Sequence, residues 1–314
     1  MKKLLILSFA LMLIMSAGVF ATETRVSTMG DNNMILLDEE NIWLFPSRIM
    51  DYPNIAVAEF VDEDYYYEKQ PGYYGHHFWQ LGMHWKFGQD NPWIVGTYFS
   101  QLPTFYPTDA CGDRMRYLNI SENNRINLFV GRQLGANHNF GMAITRIQSS
   151  RSEEMDDVEN KVGFAYHELA LGLTPTTGLW DVALMIGIGN WTEERADTAI
   201  TEPDGYMDIA LGGRYFYQVN PDYTIVPHAG FMYQNRGIKS EYAPYEDDED
   251  YNYTTKAMGL EIGAGLNWTP ATNVLGVMDF GIQYYSCKWE NSVADANEDD
   301  ADTVSYTHLR AHET

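Results

Sequence analysis

Between Lys256 and Lys288 the chain forms two ribbons, each with two chemically different faces. In the first, Met258, Leu260, Ile262, Ala264, Leu266 and Trp268 alternate with Gly259, Glu261, Gly263, Gly265 and Asn267. In the second, Met278, Phe280, Ile282 and Tyr284 alternate with Asp279, Gly281, Gln283 and Tyr285. Side chains of a strand point to opposite faces at a period of two, so each arm reads as a strand. The connection TPATN (269–273) is short and rich in turn formers, which joins the arms as an antiparallel hairpin. The quiet face decides the setting. A soluble sandwich needs bulky side chains facing a second sheet, whereas here that face is glycine, carboxylate and amide. A membrane barrel needs this arrangement, with lipid outside and a polar or packed lumen inside.

The same alternation recurs along the chain. Apolar-alternating segments fall near 54–60, 77–87, 93–100, 124–134, 138–148, 162–173, 179–189, 206–219, 223–235, 256–268 and 274–288. Their connections alternate in length. GQDNP (88–92), GAN (135–137), TPTTG (174–178), NPD (220–222) and TPATN are short, and the connections between them are long. Tight periplasmic turns and longer outer loops give outer-membrane barrels this asymmetry. A slip of one residue would turn inward charges into hydrocarbon, at about 2–4 kcal/mol for a midplane Lys or Arg, so the register is well determined. Phe87, Trp93, Trp180, Tyr223 and Trp268 border short turns, while Tyr98, Phe99, Trp191, Tyr284, Tyr285 and Trp289 lie toward long loops. Two interfacial aromatic girdles are expected from that distribution.

The two ends read differently. MKKLLILSFALMLIMSAGVFA has a basic start, an apolar stretch and small residues at a cleavage position, so residues 1–21 are expected to be a secretory signal peptide. No later run approaches the length of a spanning helix, so entry into a bilayer would be as a barrel. At the other end VSYTHLRAHET (304–314) resembles the translation of a widely used transposase sequencing adaptor. That resemblance implies a non-native tail and a natural chain cut near Asp302. Parity points the same way: eleven strands from a periplasmic start leave an unpaired edge, so 12–14 strands are expected in the intact protein.

Charge narrows the partners. Asp and Glu number 44 against 20 Lys and Arg, a formal charge of −24. Such a surplus argues against nucleic acid and for a strongly negative exposed surface. With 45% hydrophobic residues the chain is not disordered. Cys111 and Cys287 are the two cysteines, too few for a disulfide scaffold, and their pairing is left open by sequence.

Residues 22–53 are not strand-like. A basic residue, then Met29-Gly30, an apolar run to Leu37, the acidic Asp38-Glu39-Glu40 and an apolar-aromatic stretch closing on Pro46-Ser47 resembles the N-terminal signature of FadL-type and PorV-like outer-membrane proteins. The usual form there is M-G-G, a small-residue run with D-D, and N-P-A. Here Asp31 replaces the second glycine and Phe45 precedes the proline. The resemblance covers this segment and the general barrel layout. It implies that 22–53 plugs the barrel from the periplasmic side, with Met29, Gly30, Asp38 and Pro46 as plug residues; a plain periplasmic arm is the alternative.

Chemistry-bearing residues fall into two sets. The long connections carry VDEDYYYEKQPGYYGHH, SEEMDDVENK, EYAPYEDDEDYNY and ADANEDDAD, acidic and rich in tyrosine. Glu246 to Asp250 offers consecutive carboxylates suited to Ca²⁺ or Mg²⁺, but without EF-hand spacing, so solvated loops are expected and no metal or other cofactor is assigned. The inward positions carry His84, Lys86, Glu168, Asp181, Asp208, Arg214, His228, Glu261 and Asp279 among many glycines and alanines. Inward charges on neighbouring strands pair structurally or line an aqueous path. Asp208 and Arg214, about 20 Å apart along one face, can pair only across strands. His84 and His228 have no companion nucleophile, and no histidine or cysteine spacing of a metal site occurs, so no enzyme is expected.

The chain is therefore expected to be an all-β, antiparallel up-and-down transmembrane barrel over 54–303 in the bacterial outer membrane, surrounded by its lipid. By resemblance it is a porin-like or FadL-type transporter of small, hydrophobic molecules. The alternative is a structural or interaction protein that docks other envelope proteins through its acidic loops.

Overall fold

The computed structural model describes residues 34, 35, 37, 39–62, 77–89, 92–102, 123–155, 158–195, 199–202, 206–242, 251–271, 274–293 and 304–313. Two short 3-10 helices, Glu39–Ile42 and Pro46–Asp51, precede the strands. These are β1 (Ala56–Asp62), β2 (His77–Phe87), β3 (Trp93–Leu102), β4 (Asn123–Leu134), β5 (His138–Met155), β6 (Val158–Pro175) and β7 (Trp180–Arg195). They continue as β8 (Ala199–Glu202), β9 (Tyr206–Tyr215), β10 (Tyr217–Asn220), β11 (Tyr223–Tyr242), β12 (Tyr251–Ala271), β13 (Val274–Val293) and β14 (Val304–Glu313). All belong to one antiparallel sheet whose order follows the chain. Strands β8 and β9 share the slot between β7 and β11, and β10 carries that pass on along β11. The result is an up-and-down wall of twelve passes.

The wall is inside out relative to a soluble protein. Trp85, Val95, Leu128, Ile144, Ile186, Leu211, Leu260 and Ile262 are exposed, while Gln80, His84, Asn127, Thr145, Asp181, Arg214, His228 and Gln234 are buried. Water would penalise such an apolar belt, and lipid would reward it. Trp93, Tyr223 and Trp268 are exposed beside the short turns, and Tyr223 stacks on Trp268 with ring centres 6.2 Å apart. Tyr98 departs from the girdle expected of it. It shares parity with Ile94 and Ser100, so it points inward and is buried.

Val304–Glu313, the stretch that resembles a translated adaptor, pairs as a strand along β13 from Cys287↔Val304 to Met278↔Glu313. It occupies the place where parity demands a strand, and it covers backbone groups on the edge of β13. The connections expected as loops at 149–161 and 236–255 are largely ladder: β5 and β6 pair out to Met155↔Val158, and β11 and β12 out to Ser240↔Tyr251. Backbone pairing needs no apolar alternation, so periodicity marks only the lipid-crossing part of a hairpin. Finally, the pass 206–219 is interrupted. Pairing of β9 with β11 ends at Arg214↔His228 and resumes at Tyr217↔Ile225, because Pro227 between them has no N–H to donate. The N–H of Phe216 donates instead to the Leu179 carbonyl at 2.8 Å.

The short turns keep glycines where positive φ is required, 85° at Gly88, 62° at Gly135 and 70° at Gly178. The start of the wall uses Asn54 at φ 58°, and its side-chain oxygen accepts the Lys86 N–H at 3.1 Å.

The sheet curls around residues 34–52. One short segment touches β2 through Tyr52, β4 and β5 through its second helix, β7 through Arg48 and β12 through Ile35. A flat sheet would keep strands so far apart in order from meeting one segment. Glycines of the wall make the room. A Cβ at Gly141 would collide with the Pro46–Ser47 backbone, one at Gly131 with Ile49, and one at Gly172 would lie 2.7 Å from the Ser47 nitrogen. Ile42 and Ile49 of the segment form a buried core with Ile94, Phe129, Ala143 and Ala170 of the wall.

Ile262 is 59% exposed on β12. In lipid vesicles, Ile262→Arg is expected to lower stability by about 2–4 kcal/mol, as for a cation at the bilayer midplane. A water-facing residue would change by only about 0.5 kcal/mol. Urea titration of the vesicle-folded protein separates the two.

Candidate functional site

The interior is organised by a carboxylate shared between two arginines. Asp181 enters from the start of β7, on the inward face of its strand, and is fully buried. Arg214 lies directly opposite on β9, and its Nε donates to Asp181 Oδ2 at 2.7 Å. Arg48 reaches the same carboxylate from the second 3-10 helix, with Nε to Oδ1 at 2.8 Å and Nη2 to Oδ2 at 3.0 Å. Thr174 Oγ1 donates to Oδ1 at 2.6 Å. Because Thr174 spends its proton there, Ser47 donates to Thr174 across 2.6 Å. Asp181 thus accepts four hydrogen bonds, the full capacity of a carboxylate.

The remaining donors of both arginines tie the segment down. Arg214 Nη1 donates to the Met34 carbonyl at 3.2 Å and Nη2 to Asn41 Oδ1 at 2.8 Å. Arg48 Nη2 also donates to the Gly178 carbonyl at 3.0 Å, and Nη1 to Asp51 at 2.9 Å. The Arg214 guanidinium lies 4.5 Å from the ring centre of Phe45 and 4.8 Å from that of Phe216, close enough for cation–π attraction on both. Burial disfavours the charge on Arg48, but Asp181 and then Asp51 outweigh it and raise its pKa above the ordinary arginine value. Its half of the latch therefore stays charged at neutral and mildly alkaline pH.

A second contact holds the other flank. His84 Nδ1 lies 2.9 Å from the Tyr52 carbonyl, and Tyr98 Oη 2.6 Å from His84 Nε2. If the Nδ1 position carries the proton, it donates to Tyr52 and the ring accepts from Tyr98. Trp43 meets Tyr98 and Phe129 edge-on with ring centres 5.0 Å away, and Arg125 covers its ring at 4.6 Å.

The inward residues read from sequence therefore separate into groups. Asp181 and Arg214 meet each other across strands. Asp208 does not join them: it faces Gly187 in register, with Glu168 on the far side of the same glycine. That row also holds Asn127, Thr145 and Gln234 in direct register, a polar belt on the inner wall. His228 lies 3.6 Å from Glu261 and 3.9 Å from Asp279 on the next two strands. Lys86 lies outside these groups. It is exposed at the end of β2, where a long amine reaches water beside the Gly88 turn. Pro46 is buried at the head of its helix, while Met29, Gly30, Asp38 and Cys111 lie outside the described residues. Arg48 and Asn41 escaped sequence reading, and Ser47 was read only as the close of the segment's signature. Their one signal was an arginine in an apolar-aromatic stretch, which requires an acid partner once that stretch is buried.

Between the segment and β7, β9, β11 and β12 an apolar cavity of about 270 Å³ remains. Met34, Leu44 and Phe45 bound it on one side, and Ala183, Gly212, Gly230 and Gly259 on the other. Among the described residues Glu261 is the single polar side chain of its lining.

No family model matches the chain. No curated protein matches it either. Among solved structures, it is similar to the ferric yersiniabactin uptake receptor FyuA from Yersinia pestis, with 11% identity and a TM-score of 0.44 over 83% of this chain. The match spans 43% of that receptor, so this chain covers less than half of its length.

Removing Asp181 would leave two buried guanidinium groups facing each other. Asp181→Ala is expected to cost about 3–5 kcal/mol, the usual penalty for breaking a buried ion pair from one side. Trypsin should then cut after Arg48 in the folded protein. Unfolding titrations and peptide mapping check the two effects separately.

Proposed function

We propose that this chain is an outer-membrane β-barrel that passes small hydrophobic molecules, in the manner of the FadL-type family its N-terminal segment resembles. The observation that supports transport most directly is the placement of that segment. Its described residues pack against the inner face of the curled wall and leave an apolar cavity beside them. A porin-like hole for large polar solutes is at odds with such packing, whereas a plug held by polar contacts can shift to admit a solute. Residues 22–53 act as the plug, and the Arg48–Asp181–Arg214 latch holds it. The protein is not an enzyme in this view. Its acidic hairpins face the outside, and its short turns face the periplasm.

Docking of other envelope proteins has a separate support. Hairpins β5–β6 and β11–β12 continue as paired ladder beyond the apolar alternation, out to Met155↔Val158 and Ser240↔Tyr251, where the sequence turns acidic.

Transport is tested in two assays with the full chain and with a deletion of 22–53. Cells bearing the full chain should take up a labelled apolar tracer faster than cells without it. In liposome swelling, the full chain should exclude sugars and the deletion should admit them. Absence of tracer uptake together with unchanged swelling in both forms would sink transport and leave docking.

A further inference from the structure

The cavity is specific about what it would hold. Its volume of about 270 Å³ is well above the ~150 Å³ of an apolar cavity that accommodates benzene, so a fused bicyclic ring or a short branched chain fits. The space is not a consequence of glycine geometry. A Cβ at Gly212 would meet nothing within 4 Å, and one at Gly230 only Glu261 Cβ at 3.9 Å and the Leu211 carbonyl at 4.0 Å. By contrast, the glycines under Pro46 and Ile49 are needed for close approach. Gly212 and Gly230 face each other in register, and Gly230 faces Glu261, so the opening continues across three strands.

The polar chemistry is equally one-sided. Among the described residues Glu261 is the only ionisable side chain of the lining, and behind it His228, fully buried, lies 3.6 Å from Glu261 and 3.9 Å from a second acid, Asp279. Arg214 of β9 lies behind Phe45 and directs its guanidinium to Asp181, Asn41 and the Met34 carbonyl. The strand backbones that bound the space are paired in the ladder, so their N–H groups are committed. Among the described residues that line the space, an anionic head would therefore face a carboxylate and no donor side chain. A hydroxyl or an amine would find an acceptor.

We propose that this cavity is a binding site for a small, uncharged or amine-bearing hydrophobic molecule, and that it selects against hydrophobic carboxylates. The assignment rests on the transport function proposed above, for which it supplies the substrate class and a holding point.

The test uses the full chain in phosphatidylcholine nanodiscs at neutral pH and three probes of one shape: 2-naphthylmethylamine, 2-naphthalenemethanol and 2-naphthoate. Saturable binding is read by equilibrium dialysis against empty nanodiscs. The amine and the alcohol should bind saturably, with the carboxylate at least roughly tenfold weaker, a difference of about 1.4 kcal/mol. Gly212→Leu, which fills open space, should abolish saturable binding of all three; Gly230→Leu is the second filling variant should the first fail to assemble. Glu261→Gln should weaken the amine roughly tenfold, leave the alcohol unchanged and bring the carboxylate up toward it. Equal binding of amine and carboxylate by the unmodified chain, binding that survives both filling variants, or no saturable binding at all would overturn the assignment. The tracer-uptake assay keeps the two ideas apart. Uptake without saturable binding removes the cavity site and keeps transport, while binding without uptake keeps the site and removes transport.

Discussion

The interior depends on one carboxylate. Both Arg48 and Arg214 converge on Asp181, and each oxygen of it accepts two donors. Two guanidinium groups buried without it would repel, and their desolvation would be uncompensated. The net stability of such a buried network is modest, since desolvation offsets most of the attraction. Its value lies in specificity. Asp181 and Arg214 are direct register partners on β7 and β9, so the bond pins that pairing, and Arg48 pins the segment to the same point. Wall register and segment position are thereby set by a single group.

Around that point the interior sorts by size. Where the segment comes close, the wall has glycine: Gly131, Gly141, Gly172 and Gly265 each lie against segment atoms that a side chain would displace. Where it stays away, at Gly212 and Gly230, glycine leaves a cavity instead. The same residue type thus serves two ends. A packed contact would be lost by enlarging one kind, and an empty space would be lost by enlarging the other. Latch, packed glycines and cavity together describe a segment packed closely on one flank and with open space on the other.

Much of the wall was legible because lipid imposes a strict rule. Met258 to Trp268 and Phe280 to Tyr284 read outward in the sequence, and their faces in the structure follow. His84, Asp181, Arg214 and His228 are buried, on the face that strand parity sets opposite the exposed apolar one. Legibility ended where that rule lapses. Beyond the apolar belt, β5–β6 and β11–β12 remain paired with no periodic signal to announce it. Tyr98 looked interfacial by composition but lies inside by parity. Residues 304–313 carry no clear alternation, yet they pair along β13 because its edge offers backbone partners.

The sequence by itself determined the period-two faces, the alternation of short and long connections and the inward set of polar residues, because each is a local consequence of strand geometry and solvent. Which inward groups meet was decided only by tertiary structure. Arg48 and Asp181 are 133 positions apart, and Asn267 and Ile35 are 232. No local pattern encodes such contacts; they follow from how far the sheet curls and where the segment lies within it. The cavity is more remote still from sequence, because an empty volume is what remains after every side chain has been placed.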